Sequence, residues 1–316
     1  MTRAFVFPGQ GSQTVGMGRA LAEAWPAARA VFDEVDAALG EPLSATIWEG
    51  PEDALRLTEN AQPGLMAASI AALRALEAEG VTVAADAAFV AGHSLGEYTA
   101  LCAAGALTVG DAAKLLRLRG RAMQSAVPVG AGAMAALLGL DVAAARAVAE
   151  EASAHGVCEA ANDNDPGQVV VSGATAAVEK AVEIAAARGA KRAVMLPVSA
   201  PFHCALMAPA AAAMREALAE TALAAPSVPL VSTVKAEGVS DPDELRALLV
   251  AQVTGAVRWR ESVAWMAGRG VTELVEIGAG KVLTGLAKRI DKGLSARAVG
   301  GPEDVEAAVA AIKGDA

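Results

Sequence analysis

The sequence is poor in aromatic residues and in cysteine. Aromatics make up 3% of its 316 residues, so a core must use the aliphatic and small side chains that bring the hydrophobic fraction to 54%. Its three cysteines, Cys102, Cys158 and Cys204, are too few and too scattered for a disulfide framework or a zinc site. We therefore expect buried thiols in a reducing compartment, and no metal site.

The chain also lacks an excess of basic residues and a long apolar run. Lys and Arg number 26 against 36 Asp and Glu, a net charge of −10, so we expect no nucleic-acid partner. No run of about 18 apolar residues occurs, and the first residues lack the apolar stretch of a signal peptide. These absences favour a cytoplasmic protein with no membrane contact, and a monomer is the plain expectation.

Apolar patterning predicts strands that alternate with helices, as in a mostly parallel α/β sheet covered on both faces. Residues 129–198 break this rhythm with the order β-α-β-β-α-β, which is that of a ferredoxin-like unit. Within it, a strand at 157–161 is predicted to end in a polar turn at 162–167. The sequence thus predicts a small domain over 129–198 inserted into a discontinuous domain of residues 1–128 and 199–316.

A GHSLG pentapeptide at 92–96 lies between a predicted strand at 87–91 and a helix predicted from Glu97 to Ala104. A sharp turn there needs glycine on both sides, and it exposes the hydroxyl of Ser94 at the end of the strand. The N–H of Leu95 then points towards a developing oxyanion. A purely structural turn is the alternative, but the strand and helix on either side favour a nucleophilic serine.

A serine nucleophile needs a base, and the chain has only three histidines. His93 adjoins Ser94, and adjacent side chains diverge in such a turn. His155 ends a predicted helix of the inserted unit, where a solvated cap is expected. His203 precedes a helix predicted from Cys204, whose N-terminus would disfavour the imidazolium. Elimination favours His203 as the base, and a structural histidine is the alternative.

An acidic third member is harder to find. Asp163 and Asp165 lie between the serine and the histidine in the chain, as hydrolase order requires. Their NDNDPG context is a good turn on structural grounds alone. We therefore expect a backbone carbonyl or an amide side chain to orient the imidazole instead.

Arg119 lies in a helix predicted over 111–124, and its neighbours three and four residues away on both sides are apolar. It is therefore predicted to point inwards, whereas Arg117 and Arg121 share a polar, solvated face. A buried guanidinium needs an anion, because an unpaired buried charge costs several kcal/mol. Two partners are open: a structural Asp or Glu, or the carboxylate of a substrate held by both guanidinium nitrogens.

Two glycine-rich stretches do not match nucleotide-binding motifs. The GQG at 9–11 lacks a third glycine at 14, and the GAGK at 278–281 lacks the Ser or Thr that follows lysine in a P-loop. We therefore predict no nucleotide cofactor, and no other cofactor.

Four motifs, taken together, closely resemble the malonyl-CoA:acyl carrier protein transacylases of bacterial fatty-acid synthesis. They are FPGQGSQ at 7–13, GHSLGEY at 92–98, RGRAMQ at 119–124 and PFH at 201–203, in the family's order. The resemblance runs from residue 4 to about 290. It implies an α/β-hydrolase-like domain with a ferredoxin-like insertion, in agreement with the pattern above.

The resemblance also implies roles for individual residues. Ser94 would be the nucleophile, His203 the base, and the main-chain carbonyl of Gln252 would orient the imidazole. Gln10 and Leu95 would donate oxyanion-hole N–H groups. Arg119 would bind the malonyl carboxylate, Phe202 would leave little room for a methyl branch, and Gln62 and Asn162 would lie near the pocket.

The implied reaction is ping-pong transfer of malonyl from malonyl-CoA to acyl carrier protein, without a cofactor. A serine esterase or thioesterase of similar fold also fits the GHSLG turn, although a hydrophobic acyl pocket has no use for Arg119. A scaffold that only binds acyl carrier protein is a third reading. Because the carrier proteins of this pathway are acidic, docking would need a local basic patch. The alternative is that the basic residues are scattered solvated charges. The candidates for the patch are Arg258, Arg260, Lys281, Lys288 and Arg289.

Overall fold

The computed structural model of the protein describes residues 1–314. The last two residues of the predicted 199–316 segment lie outside the described residues. The strands are β1 (Arg3–Phe7), β2 (Phe89–Gly92), β3 (Gly132–Leu138), β4 (Cys158–Asp165), β5 (Gln168–Ala174), β6 (Arg192–Met195), β7 (Leu230–Ser232), β8 (Glu237–Val239), β9 (Glu273–Ile277) and β10 (Ser295–Val299).

The α-helices are α1 (Arg19–Ala24), α2 (Pro26–Leu39), α3 (Leu43–Glu49), α4 (Glu52–Arg56), α5 (Thr58–Ala78), α6 (Val83–Asp86), α7 (Gly96–Ala103), α8 (Val109–Ser125), α9 (Val142–Ala152), α10 (Thr175–Ala187), α11 (Ala208–Glu220), α12 (Pro242–Thr254), α13 (Trp259–Gly268), α14 (Val282–Ile290) and α15 (Pro302–Gly314). Two short 3-10 helices, Ser153–His155 and Ala205–Met207, complete the helical elements of the described residues.

The larger sheet has six strands in the order β10-β9-β1-β2-β7-β8. All neighbours pair in parallel except β7 and β8, which are antiparallel. Strand β1 lies inside this sheet and is buried throughout, with Phe5 and Phe7 in the core on one face and Ala4 and Val6 in the core on the other. Such two-sided burial is typical of a parallel sheet, and the predicted mostly parallel α/β architecture is confirmed.

The smaller sheet is antiparallel, with the order β4-β5-β3-β6. Alternate residues of β3 face opposite sides. Ala135 and Leu137 belong to a core with α9 and α10, whereas Met134 belongs to the core of the larger sheet. One face of the small sheet is therefore covered by its own helices, and the other faces the larger sheet.

The predicted polar turn at 162–167 is wrong in extent. Strand β4 continues through Asp165, and only Pro166 and Gly167 form the turn. Residues 162–165 are buried, because β4 reaches across to the segment before α13: the N–H of Asp163 donates to the carbonyl of Val257 at 2.9 Å. Asn and Asp favour turns when their side chains hydrogen-bond to the local backbone. Here residues on the side of the larger sheet supply the hydrogen-bond partners, and the chain stays extended.

Two other boundaries differ from the prediction. The strand expected at 87–91 occupies Phe89–Gly92, because the short helix α6 extends to Asp86 and Ala87 is its C-cap. The helix expected from Cys204 begins at Ala208, after the 3-10 helix. The three cysteines are free and buried, as predicted.

Within residues 1–314, no helix combines the length and the apolar character that crossing a bilayer requires. In the same range, no group of three or more His, Cys, Asp or Glu side chains is placed to hold a metal ion.

Candidate active site

Ser94 lies in a sharp turn between β2 and α7, and the two glycines of the turn are sterically required. A Cβ on Gly92 would lie 1.8 Å from the carbonyl carbon of Gly96, and a Cβ on Gly96 would lie 2.4 Å from the carbonyl oxygen of Phe7. Ser94 itself has a φ of 55°, a left-handed conformation that is costly for a residue with a side chain. Backbone strain that exposes a single side chain, as this turn exposes that of Ser94, is typical of a functional site.

His203 meets Ser94 across the site. Its Nε2 lies 2.8 Å from the Oγ of Ser94, and its Nδ1 lies 2.9 Å from the carbonyl of Gln252 and 3.1 Å from that of Gly255. Carbonyl oxygens only accept hydrogen bonds, so Nδ1 must carry the proton. Nε2 then has a free lone pair directed at the serine hydroxyl, which is the arrangement a general base requires.

Burial lowers the pKa of His203 to about 3, and the positive charge of Arg119 acts in the same direction. The imidazole is therefore neutral at physiological pH, as the sequence predicted. The predicted α-helix begins at Ala208 rather than beside His203, and desolvation and a nearby cation are the causes of the lowered pKa.

Arg119 is only 1% exposed, as its apolar neighbours predicted. Nη1 donates to the Oε1 of Gln62 at 2.9 Å, and Nη2 donates to the Oε1 of Gln252 at 2.9 Å and to the Oγ of Ser94 at 3.1 Å. All of these acceptors are neutral. Nε is buried without a hydrogen-bond partner among the described residues. The guanidinium thus reaches the hydroxyl oxygen of Ser94 with no carboxylate directly paired to it.

Gln252 connects the other three residues. Its carbonyl accepts from His203, its Oε1 accepts from Arg119, and its Nε2 donates to the carbonyl of Ser94 at 3.1 Å. It is fully buried on the last turn of α12. The serine turn, the histidine and the arginine are therefore held by one side chain and its backbone. No acidic third member contacts the imidazole among the described residues, as the sequence analysis expected.

A cleft of about 510 Å³ opens between the two sheets above Ser94. Met134 and Val170 of the small sheet form an apolar wall. The predicted site residues that line this cleft are Gln10, Gln62, Ser94, Leu95, Arg119, Asn162, Phe202 and His203. Gln252 lies behind them, in contact with the serine turn but outside the lining. The structure thus brings together residues from distant parts of the chain, from Gln10 to Gln252.

Comparison with known proteins identifies the family. Residues 4–305 match the family model described as the acyl transferase domain. The chain is 46% identical over 311 residues to a malonyl CoA-acyl carrier protein transacylase of Bacillus subtilis strain 168, covering 98% of this chain and 97% of that protein.

The chain belongs to the acyl transferase family.

Two solved structures resemble this acyltransferase over nearly its full length. An acyl-carrier-protein S-malonyltransferase from Bartonella henselae shares 56% identity at a TM-score of 0.97, covering 99% of this chain and all of that one. A malonyl-transacylase in complex with its type II PKS acyl-carrier protein shares 42% identity at a TM-score of 0.94, covering 98% and 99%. The resemblance that the four motifs indicated is confirmed.

Contacts that the sequence did not predict join the small sheet of this acyltransferase to the site. Nε2 of His93 lies 2.9 Å from the Oδ1 of Asn164. Arg260 donates to both oxygens of Asp163 at 2.8–3.0 Å, and Arg289 donates to Asp165 at 2.6 Å. The sequence does show a run of four polar residues, 162–165, next to a predicted strand. Their hydrogen-bond partners could not be predicted, because those residues are distant in the chain.

Arg117 corrects another prediction. It is 6% exposed rather than solvated, forms an ion pair with Glu41 and donates to the side chain of Asn60. The segment after α2 covers this side of α8. The spacing of polar and apolar residues along α8 could not predict this contact. Arg121 is exposed and pairs with Glu59 at 2.6 Å, as a solvated residue would.

Three of the five basic residues proposed for docking form ion pairs with acidic residues of this chain. Arg260 and Arg289 pair with Asp163 and Asp165, and Arg258 pairs with Glu261. Lys281 and Lys288 are exposed, and neither forms an ion pair with any described residue. They flank Val282 and Leu286, which line the cleft, so the two free cations lie near its mouth.

Proposed function

We propose that this acyltransferase moves a malonyl group from malonyl-CoA to the phosphopantetheine thiol of an acyl carrier protein, through an O-malonyl-Ser94 intermediate, and so supplies fatty-acid elongation. The observation that carries the proposal is Arg119, a buried cation with only neutral hydrogen-bond partners, 3.1 Å from Ser94 Oγ. The printed names of the relatives and the complex with an acyl-carrier protein support the same substrates.

In the first half-reaction, the Oγ of Ser94 attacks the thioester carbonyl and its proton passes to Nε2 of His203. The resulting imidazolium is stabilised because Nδ1–H already donates to the carbonyls of Gln252 and Gly255. Collapse of the tetrahedral intermediate breaks the carbon–sulfur bond, and the proton moves from Nε2 to the CoA sulfur. Free CoA thiol and an O-malonyl serine result.

The backbone N–H groups of Leu95 and Gln10 are proposed to stabilise the tetrahedral oxyanion. Leu95 directly precedes α7, and Gln10 lies in the loop after β1; both line the cleft beside Ser94. N–H groups at a helix start are fixed before the reaction, so they stabilise the new charge without reorganising.

In the second half-reaction, the pantetheine thiol of the carrier protein gives its proton to His203, and its sulfur attacks the serine ester. The bond to Oγ breaks, and Oγ takes the proton back from Nε2. Water would compete at this stage, and the cleft between the two sheets limits its access.

Selection of the acyl group is assigned to Arg119 and three further side chains. Arg119 would bind the malonyl carboxylate with two nitrogens, and Gln62 holds Nη1 for that purpose at 2.9 Å. Phe202, which lines the cleft and is buried, would restrict a methyl branch. Asn162 lies at the opposite wall, on β4, and is proposed to contact the substrate there.

A serine esterase or thioesterase is not favoured. A water-directed reaction on a simple acyl chain would gain nothing from a buried guanidinium at the nucleophile, and burying one costs several kcal/mol. The product would decide between them: acyl carrier protein for the transferase and free acid for the hydrolase.

The finer architecture is also proposed. The strand order of the small sheet and its β-α-β-β-α-β succession support a ferredoxin-like domain over 129–198, inserted into an α/β-hydrolase-like domain of residues 1–128 and 199–316. We also propose that the protein is a cytoplasmic monomer. We propose that it binds no nucleic acid, because its net charge of −10 disfavours contacts with phosphates. Light scattering in solution would test the monomer.

Intact-protein mass spectrometry tests the proposed function directly. Mixing with malonyl-CoA should add one malonyl group, and adding carrier protein bearing its pantetheine should remove it while the carrier gains the same mass. Ser94→Ala should take up no malonyl. A malonyl adduct on that variant would contradict the nucleophile assignment, and free malonate in place of malonyl carrier would contradict transfer.

A further inference from the structure

Glu97 is a buried acidic residue that the mechanism above does not use. It lies three residues after Ser94 in the first turn of α7 and is 0% exposed. Its Oε1 accepts from the backbone N–H and from the hydroxyl of Thr233, both at 2.6 Å. Its Oε2 is buried without a hydrogen-bond partner among the described residues. The carboxylate therefore fastens the serine helix to the end of β7 with one oxygen only.

The negative charge is not needed for that fastening. A glutamine would present the same acceptor oxygen to Thr233 and would avoid burying a charge. Burial raises the pKa of Glu97 to about 6, although the hydrogen bonds of Thr233 and the charge of Arg119 oppose the rise. A carboxylate that stays buried at such a cost beside a reactive centre is a candidate for a functional role.

The groups around Glu97 single out Arg119. Helix α7 packs against α5, α8, β1, β2 and β7. Arg119 of α8 is the cation that interacts with the carboxylate, and Tyr98 beside it has its pKa raised to about 12 by burial and is neutral. Several other charged side chains of the elements around Glu97 form ion pairs elsewhere: Arg3 with Glu273, Glu59 with Arg121, Arg74 with Glu77, Arg117 with Glu41 and Glu244 of α12 with Lys235. Asp111 of α8 accepts from the hydroxyl of Thr108, and Lys114 of α8 is exposed to solvent.

We propose that Glu97 sets the selectivity of the site: its buried charge offsets part of the attraction that Arg119 exerts on the acyl carboxylate. The inference rests on the proposed function, in which Arg119 binds that carboxylate. Two anions then share one cation in a poorly solvated region, and each weakens the binding of the other. Ionised Glu97 would lower the preference for malonyl over an uncharged acyl group and would make malonyl easier to release to the carrier thiol.

The sign of the pH dependence follows from these groups. The malonyl carboxyl is ionised above about pH 5, as an ordinary carboxyl is. His203, with its pKa at about 3, stays neutral over the same range. Glu97 changes charge near pH 6. The preference for malonyl should therefore be highest near pH 5, where Glu97 is protonated, and should fall as the pH rises to 8.

The test compares the rates of Ser94 acylation by malonyl-CoA and by acetyl-CoA, measured by intact mass from pH 5 to pH 8. The ratio of the two rates cancels effects on folding, on the nucleophile and on His203. Glu97→Gln should raise the ratio at pH 8 on the order of tenfold, because it removes a like charge from a region of low effective dielectric. At pH 5 the variant and the parent should give the same ratio.

Glu276→Gln is the matched control. Glu276 is also 0% exposed and also accepts from the N–H and the hydroxyl of a threonine, Thr284, both at 2.7 Å. The substitution Glu276→Gln therefore removes an equally buried charge, from β9. Its ratio should follow that of the parent at every pH.

Two outcomes would overturn the inference: a Glu97→Gln ratio equal to that of the parent at pH 8, or a parent ratio that is flat from pH 5 to pH 8. The second measurement needs no variant, so it decides the matter even if Glu97→Gln does not fold. If acetylation is too slow to follow, Arg119→Ala replaces acetyl-CoA as the reference, and Glu97→Gln should have no effect on malonylation in that background. Failure of the proposed function looks different, because the parent itself would then form no malonyl-serine.

Discussion

Replacing Arg119 by alanine is the most direct test of how this acyltransferase selects its acyl group. Two hydrogen bonds from the guanidinium to a carboxylate are expected in the complex, and hydrogen bonds to charged groups contribute about 1.5–3 kcal/mol each. The side chain is 1% exposed, so solvent cannot replace those contacts. We expect the preference for malonyl over acetyl to fall by about 3 kcal/mol, or about 100-fold in the ratio of kcat/KM values.

The ratio is the appropriate quantity because Arg119 also has structural contacts. Its removal leaves the Oε1 atoms of Gln62 and Gln252 without their donor. That loss should slow both substrates alike and cancel in the ratio. Arg119→Lys keeps the charge but loses the planar fork, so its ratio should lie between those of the parent and the alanine variant.

Arg117→Ala is the matched control for this prediction. Arg117 is buried on the same helix two residues earlier, but it pairs with Glu41, away from the cleft. Its substitution should reduce stability and leave the acyl preference unchanged. The reasoning would be refuted if Arg119→Ala kept a malonyl to acetyl ratio within about threefold of the parent, or if Arg117→Ala lost the preference to the same degree.

Two further predictions concern acid stability and carrier docking. The unfolded chain protonates His203 near its ordinary pKa of 6.5, whereas the folded protein does so near 3, so stability should fall as the pH drops from 6.5 towards 3. His203→Gln should remove about 2 kcal/mol of that loss between pH 6.5 and 4.5 in urea unfolding, and parallel curves for the two proteins would contradict it. Lys281→Glu combined with Lys288→Glu should raise the KM for carrier protein several-fold and leave serine malonylation unchanged; an unaltered KM would exclude this surface.

The sequence alone determined the features that depend on neighbouring residues. The glycine at 92 follows from a steric contact inside the turn, since a Cβ there would meet the backbone of Gly96, whereas the glycine at 96 is required by the carbonyl of Phe7 on the neighbouring strand. The burial of Arg119 follows from apolar residues one helical turn away on each side. Strands alternating with helices predicted the mostly parallel sheet in the same way, because side-chain period is a local property.

Only the tertiary structure decided what satisfies the buried polar groups. Asp163 and Asp165 belong to a strand rather than a turn because Arg260 and Arg289, 97 and 124 positions away, reach them. The depressed pKa of His203 comes from burial and from Arg119, a residue of α8. A local pattern can show that a charge must be buried, but the partner that makes burial tolerable is brought by the fold from elsewhere in the chain.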